Sequence, residues 1–174
     1  MPNPNQNDKG KANLLREKRG PNHANDIHTN AGFVSCKVCH NVLHNKRWQK
    51  LDGEVLLKIN PQHKSVHEAV CPACEMIRRG QFGGEVIVRN VPDSRSFDVV
   101  DLILAVAKQA EEHGAEVRVI DIKKDNGEIR VTTTDNQLAV RIAKDIKSAN
   151  KKSELEISYS PEPHKVSRAI VDFK

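Results

Sequence analysis

Two Cys-x-x-Cys pairs lie in the first half of a 174-residue chain, and from residue 85 the hydrophobic period switches repeatedly between two and 3.6. Together they predict an α+β protein: a small four-cysteine module followed by a ferredoxin-like βαββαβ domain with an extra C-terminal strand. A chain of this length has room for a metal-stapled module beside a compact domain of about 90 residues.

Residues 1–32 lack apolar periodicity and are rich in Asn, Pro and charge, which predicts a flexible basic tail. Leu14 and Leu15, beside Arg16, Lys18 and Arg19, are the apolar pair in it that a partner could order. Residues 33–84 hold all four cysteines and form the predicted metal module, and Gly80, Gly83 and Gly84 make a short joint between it and the α+β domain.

Over residues 85–174, Glu85–Val91 reads as a buried strand. Phe97–His113 reads as a helix with Val99, Ile103, Val106 and Ala110 inward and Gly114 at its C′ position. Ala115–Ile122 and Glu128–Thr133 read as strands joined through Asp125, Asn126 and Gly127, where Asn-Gly supplies the positive φ of a tight antiparallel hairpin. A second helix is expected from Thr134 as cap, with Gln137 reaching back and Leu138, Ile142, Ile146 and Ala149 inward. Leu155–Tyr159 and Val166–Phe173 complete an antiparallel sheet with two helices on one face, separated by a Pro161-Glu162-Pro163 turn.

Composition narrows the function. No run of about 18 apolar residues occurs, and the amino terminus lacks the apolar stretch of a signal peptide, so a cytoplasmic protein without a membrane role is expected. In that reducing compartment Cys-x-x-Cys pairs bind metal more readily than they form disulfides. Formal charge is +2 over residues 1–32, +4 over 33–84 and −1 over 85–174, which places a polyanion-binding surface on the tail and the cysteine module. Only six residues are Phe, Trp or Tyr, so the core must be aliphatic and base stacking cannot be the main resource.

The cysteines carry the strongest chemical signal. Cys36-Lys-Val-Cys39 and Cys71-Pro-Ala-Cys74 can each present two thiolates on a tight knuckle, and two knuckles close a tetrahedral shell around zinc. The 31 residues between the pairs exceed the usual zinc-ribbon interval and accommodate a hairpin through Trp48 and a strand over Val55–Ile59. A haem attachment reading of Cys36-x-x-Cys39-His40 lacks an export signal, and a redox reading lacks a thioredoxin-like βαβ setting. An iron–sulfur cluster could use the same thiolates, and spacing alone leaves it open. With four thiolates the site is closed, so the metal is structural, with no position for an activated water.

The remaining candidates are weaker. His40, His44, His63 and His67 lie in the same segment, and His63 and His67 have helical i, i+4 spacing; four thiolates already suffice, so solvent-facing histidine is the favoured reading. Trp48 could stack on a base but is expected to pack. Lys37, Lys46, Arg47, Arg78 and Arg79 are the candidate nucleic-acid contacts.

The basic Leu14-Leu-Arg-Glu-Lys-Arg-Gly20 lead-in comes first, followed by a first knuckle with Lys46-Arg47-Trp48 after it. Then come Cys71-Pro-Ala-Cys74-Glu-Met-Ile-Arg78-Arg79, Gly84-Glu85-Val86 and Ile129-Arg-Val-Thr-Thr-Thr134-Asp135 before a helix. In these features, spread over most of residues 12–174, the chain resembles a family of small prokaryotic zinc proteins of unassigned function. That family is similar to the zinc-bearing amino-terminal region of the nonsense-mediated-decay-related adaptor that escorts large ribosomal subunits out of the nucleus. The resemblance implies a zinc protein associated with RNA or the ribosome, and it carries over Cys36, Cys39, Cys71 and Cys74 alone. The Lys- and His-rich stretch between the pairs departs from the family's pattern.

The expected function is therefore a non-catalytic zinc-binding protein whose basic module contacts rRNA or a ribosomal subunit. The alternative is a protein-interaction or regulatory adaptor, or a homodimer pairing through a sheet edge, with no nucleic-acid role. Strands Glu85–Val91 and Glu128–Thr133 hold no aromatic residue of the kind an RNA-recognition motif stacks on bases. No nucleophile elbow, Walker loop, dinucleotide fingerprint or His-Glu-x-x-His helix occurs, and Thr132, Thr133, Thr134 and Asp135 read as a strand end plus helix cap, so no enzyme is expected.

Overall fold

In the computed structural model, which describes residues 32–44, 46–53, 55, 65–161 and 165–174, alternating burial along residues 33–36 starts a four-stranded sheet. β1 (Gly32–Cys36) buries Val34 and Cys36, pairs antiparallel with β2 (Val42–His44) and runs parallel to β4 (Ser65–Ala69); β3 (Arg47–Gln49) pairs antiparallel with β2. Trp48 on β3 is buried opposite Leu43, so it packs as expected. The expected tail up to residue 31, His63, and residues 56–59 of the expected Val55–Ile59 strand lie outside the described residues; Val55 itself is buried and helical.

Helix α1 (Pro72–Arg78) follows β4 and ends at Gly80, whose φ of 65° lets its N–H reach Ile77 O at 3.0 Å while the Gln81 N–H reaches Met76 O at 2.9 Å. This paired closure uses glycine where the chain must turn left-handed.

A five-stranded sheet then forms in the order β6-β7-β5-β9-β8: β5 (Gly84–Arg89), β6 (Val119–Asp125), β7 (Glu128–Thr133), β8 (Glu154–Tyr159) and β9 (Ser167–Asp172). Helices α2 (Ser96–His113) and α3 (Asn136–Ala149) bury one stripe each against it. Val99, Ile103, Val106 and Ala110 of α2 meet Leu138, Ile142 and Ile146 of α3 and Val86, Val88, Ile129, Val131, Ala169 and Val171 of the sheet. The core is aliphatic, as the composition requires. Both sheets belong to one unit, Ala31–Lys174.

Several boundaries depart from the sequence expectation. The sheet is mixed rather than antiparallel, because β9 runs parallel beside β5. β8 and β9 form an antiparallel hairpin; β9 buries Ala169 and Val171 and takes the inner place, while β8, with Glu154, Glu156, Ser158 and Tyr159 exposed, takes the edge. Strand β6 begins at Val119 rather than Ala115, since residues 114–118 form a turn. Gly114 leaves α2 with extended backbone, and Ala149 at the end of α3 is exposed. Asp135, not Thr134, caps α3, its Oδ1 accepting the Leu138 N–H at 2.8 Å. Thr134 is unavailable for capping because its hydroxyl bonds the 116–118 turn. The β6–β7 turn behaves as expected, with positive φ at both Asn126 and Gly127.

Gly84 sets how closely α3 approaches the sheet. A Cβ there would lie 2.5 Å from the Ala139 Cβ and 2.8 Å from the Thr133 Oγ1. Gly84→Val is expected to cost about 1–3 kcal/mol through overpacking. Urea unfolding monitored by circular dichroism checks this, and an unchanged midpoint would exclude such close packing.

Candidate metal centre

The first cysteine pair is built by a knuckle. Cys36 ends β1, and Cys39 sits in the turn after it. The His40 N–H donates to Cys36 O at 2.8 Å, the Cys36 N–H to Asn41 O at 2.7 Å, and the Lys37 N–H to Ala69 O at 2.9 Å, which fastens the knuckle to the end of β4. His40 takes a φ of 60° to close the turn. The buried Asn41 donates from Nδ2 to Ala115 O at 3.4 Å, a tether to the turn before β6.

The second pair does not form a second knuckle. Cys71 is the N-cap of α1 and Cys74 lies in its first turn, with Pro72 at the start of the helix, where a missing N–H costs no helical bond. The Cys71 N–H donates to Cys36 Sγ at 3.3 Å, and the Cys74 N–H to Cys71 Sγ at 3.4 Å.

The four Sγ atoms all lie within 4.8 Å of one another, and Cys39 and Cys71 are 3.7 Å apart. Four sulfurs at about 2.3 Å from one ion stand about 3.8 Å apart, so the observed cluster fits a tetrahedral thiolate site. All four cysteines are free, and Cys36, Cys71 and Cys74 are buried. The donor set and spacing suit a metal ion.

The thiols do not ionise alike. Burial opposes ionisation of Cys36, but N–H groups of Cys39, Cys71 and Val38 outweigh it and bring that thiol down to about 6. Burial pushes Cys71 up to about 12 and Cys74 upward. At neutral pH the metal-free thiols therefore hold protons that a dication must displace. Metal affinity is expected to rise with pH, roughly tenfold per pH unit for each proton displaced. Competition titrations at several pH values check this; an affinity independent of pH between 6 and 8 contradicts it.

The other candidates scatter. Lys37 is exposed in the knuckle, while Lys46 and Arg47 are exposed at the β2–β3 turn, the far end of β2 from the knuckle. Arg78 and Arg79 are exposed but both hold Glu75: Arg78 Nε and Nη2 donate to its carboxylate at 2.9 and 2.7 Å, and Arg79 Nε at 2.7 Å. These guanidiniums, Arg78 first, hold the Glu75 carboxyl down at about 2. The five cations thus occupy three places, with one pair partly neutralised. His67 lies exposed on strand β4, so it is not on a helix face with His63. His40 is exposed and His44 half-buried, and neither joins the sulfur cluster.

Sequence reasoning missed Arg118, whose guanidinium reaches three of the four sulfurs: Nη2 lies 3.4 Å from both Cys39 and Cys71 Sγ, and Nη1 lies 3.8 Å from Cys74 Sγ. No spacing rule connects it to cysteines 44 to 79 residues away. Among the described residues, no helix is long and apolar enough to cross a membrane. No protein-family model matches the chain, and no curated protein matches it significantly.

Proposed function

We propose that this chain is a non-catalytic zinc-binding protein in which one structural zinc ion, held by Cys36, Cys39, Cys71 and Cys74, gives shape to a basic lobe that contacts RNA or a ribosomal subunit. The observation that carries the metal part is the convergence of four free sulfurs within 4.8 Å. A small lobe gains from such a staple, because its strands are three to five residues long and, among the described residues, bury few large side chains. Zinc is favoured over an iron–sulfur cluster because all four sulfurs lie within 4.8 Å of one another, which suits one tetrahedral ion and leaves no room for several irons between them.

The polyanion part is supported by the +4 formal charge of residues 33–84 and by the resemblance to a family of small zinc proteins of unassigned function that is itself similar to the zinc region of a ribosomal-subunit export adaptor. Lys37, Lys46 and Arg47 are the stronger candidates, since Glu75 partly neutralises Arg78 and Arg79. Residues 85–174 are best read as a ferredoxin-like variant, with β7 between β5 and β6 as in a split βαβ unit and β9 inserted beside β5. In this reading that layer carries the metal lobe.

Co-sedimentation with ribosomal subunits across a salt series tests the contact. Affinity is expected to fall steeply from low to physiological salt, and Lys46→Ala with Arg47→Ala to flatten the slope by roughly one to two units. Binding indifferent to salt, or absent at every salt, overturns it.

A further inference from the structure

The turn between α2 and β6 holds a guanidinium against the sulfur site. The Val117 N–H donates to Gly114 O at 2.9 Å, closing the turn as it leaves α2. Thr134, just after β7, fastens it: its Oγ1 donates to Glu116 O at 2.6 Å and accepts the Arg118 N–H at 2.9 Å, and its own N–H donates to Arg118 O at 2.9 Å. With its backbone fixed, Arg118 folds back so that Nε donates to Ala115 O at 2.7 Å, the same carbonyl that accepts from Asn41 of the knuckle. Its two terminal nitrogens then face Cys39, Cys71 and Cys74.

Each sulfur has an N–H partner. Cys36 Sγ accepts from the Cys71 N–H at 3.3 Å, and Cys71 Sγ accepts from the Cys74 N–H at 3.4 Å as well as from Arg118. Among the described residues, the N–H donors to Cys39 and Cys74 come from Arg118. Four thiolates around a dication leave a formal charge of −2 in a site where three of the sulfurs are buried. Such a charge is costly without a nearby cation, and a fixed guanidinium halves it. Groups that hydrogen-bond to ligands in this way tune both affinity and ligand orientation.

We propose that Arg118 is the charge partner of the metal centre, and that through it the docking of the Ala115–Arg118 turn and the loading of the metal reinforce each other. This rests on the metal reading above. Coupling of this kind is reciprocal: whatever factor the docked turn adds to metal affinity, the metal returns to docking of the turn. Arg118 is a positioning residue, since it touches the sulfurs and not the ion.

The test compares zinc-loaded full-length wild type with Arg118→Gln, Arg118→Lys and Thr134→Val, after metal analysis of each. Two readouts are used: the rate of zinc transfer to an excess of chromogenic chelator, and the sulfur-to-metal charge-transfer band of the cobalt(II)-substituted protein. Arg118→Gln is expected to release zinc about 10–100-fold faster, the range typical of lost partners to metal ligands. Its cobalt band is expected to move to lower energy, because sulfur lone pairs relieved of N–H donors are easier to oxidise. Arg118→Lys, which keeps the charge but cannot span three sulfurs, should fall between. Thr134→Val keeps the guanidinium and loosens the turn; faster release there supports coupling to docking, and an unchanged rate overturns it. Wild type holding one zinc while Arg118→Gln matches it in rate and band overturns the role of Arg118 and leaves the metal reading standing. Wild type holding no metal overturns the metal reading itself. If Arg118→Gln does not fold, the lysine and Thr134 variants decide by the same criteria.

Discussion

Replacing Cys71 with Ser, or stripping the metal with a strong chelator, is expected to unfold the lobe around β1–β4 and α1 while the five-stranded layer persists. Cys71 is fully buried, caps α1, donates its N–H to Cys36 Sγ and accepts from both Cys74 and Arg118. Among the described residues of the lobe, the buried apolar side chains besides the cysteines are few: Val34, Val42, Trp48, Val55 and Ala73. Structural zinc contributes apparent binding energies of about 10–16 kcal/mol in small zinc modules, whereas truncating a buried Ile to Ala costs about 2–5 kcal/mol. The cysteine substitution should therefore outweigh any single core truncation. Methyl resonances check it: those of Val34 and Val42 should collapse to unfolded positions on chelation while those of Val86, Ile129 and Ile142 stay dispersed. Retained dispersion at Val34 and Val42 after complete metal removal would show that the lobe holds itself together.

The second large effect concerns a buried charge on the face of the five-stranded sheet opposite the helices. Glu85, on the central strand β5, has a side chain only 4% exposed, and it lies between Arg130 of β7 and Arg168 of β9. Arg130 Nη1 donates to Oε1 at 3.0 Å and Arg168 Nε to Oε2 at 2.6 Å. Each arginine is about half exposed, so losing either one alone leaves the carboxylate a partner and should cost about 1 kcal/mol or less. Replacing both with Met strands a buried charge, which costs about 3–5 kcal/mol. The double variant is therefore expected to lose far more than the two single losses combined, and Glu85→Met added to it to restore most of the stability. Additive single losses, measured by urea unfolding of all four variants, would mean that the carboxylate finds water.

Much of this was legible in the chain, for identifiable reasons. The stripes Val99, Ile103, Val106, Ala110 and Leu138, Ile142, Ile146 declare helices by period, and Asn126-Gly127 declares a hairpin by backbone sterics; both are local signals. The four cysteines were legible because metal ligation imposes short spacings within each pair. What escaped is non-local. That β9 rather than β8 lies beside β5 depends on which strand of the hairpin α3 packs against, and only tertiary packing decides it. Arg118 reaches the sulfurs from another layer of the fold, and Thr134 is drawn from the capping role to hold it, leaving that role to Asp135. One miss was local and avoidable: Glu75 precedes Arg78 and Arg79 by three and four residues on a helix, the spacing at which opposite charges pair.

X-ray absorption at the zinc edge of the purified protein, with metal content from the same sample, tests the central claim most directly. One zinc per chain bonded to four sulfurs at about 2.3 Å is the predicted result. Nitrogen or oxygen bonded to the ion, iron in its place, or a metal-free protein with Cys36–Cys39 and Cys71–Cys74 oxidised to disulfides would contradict it.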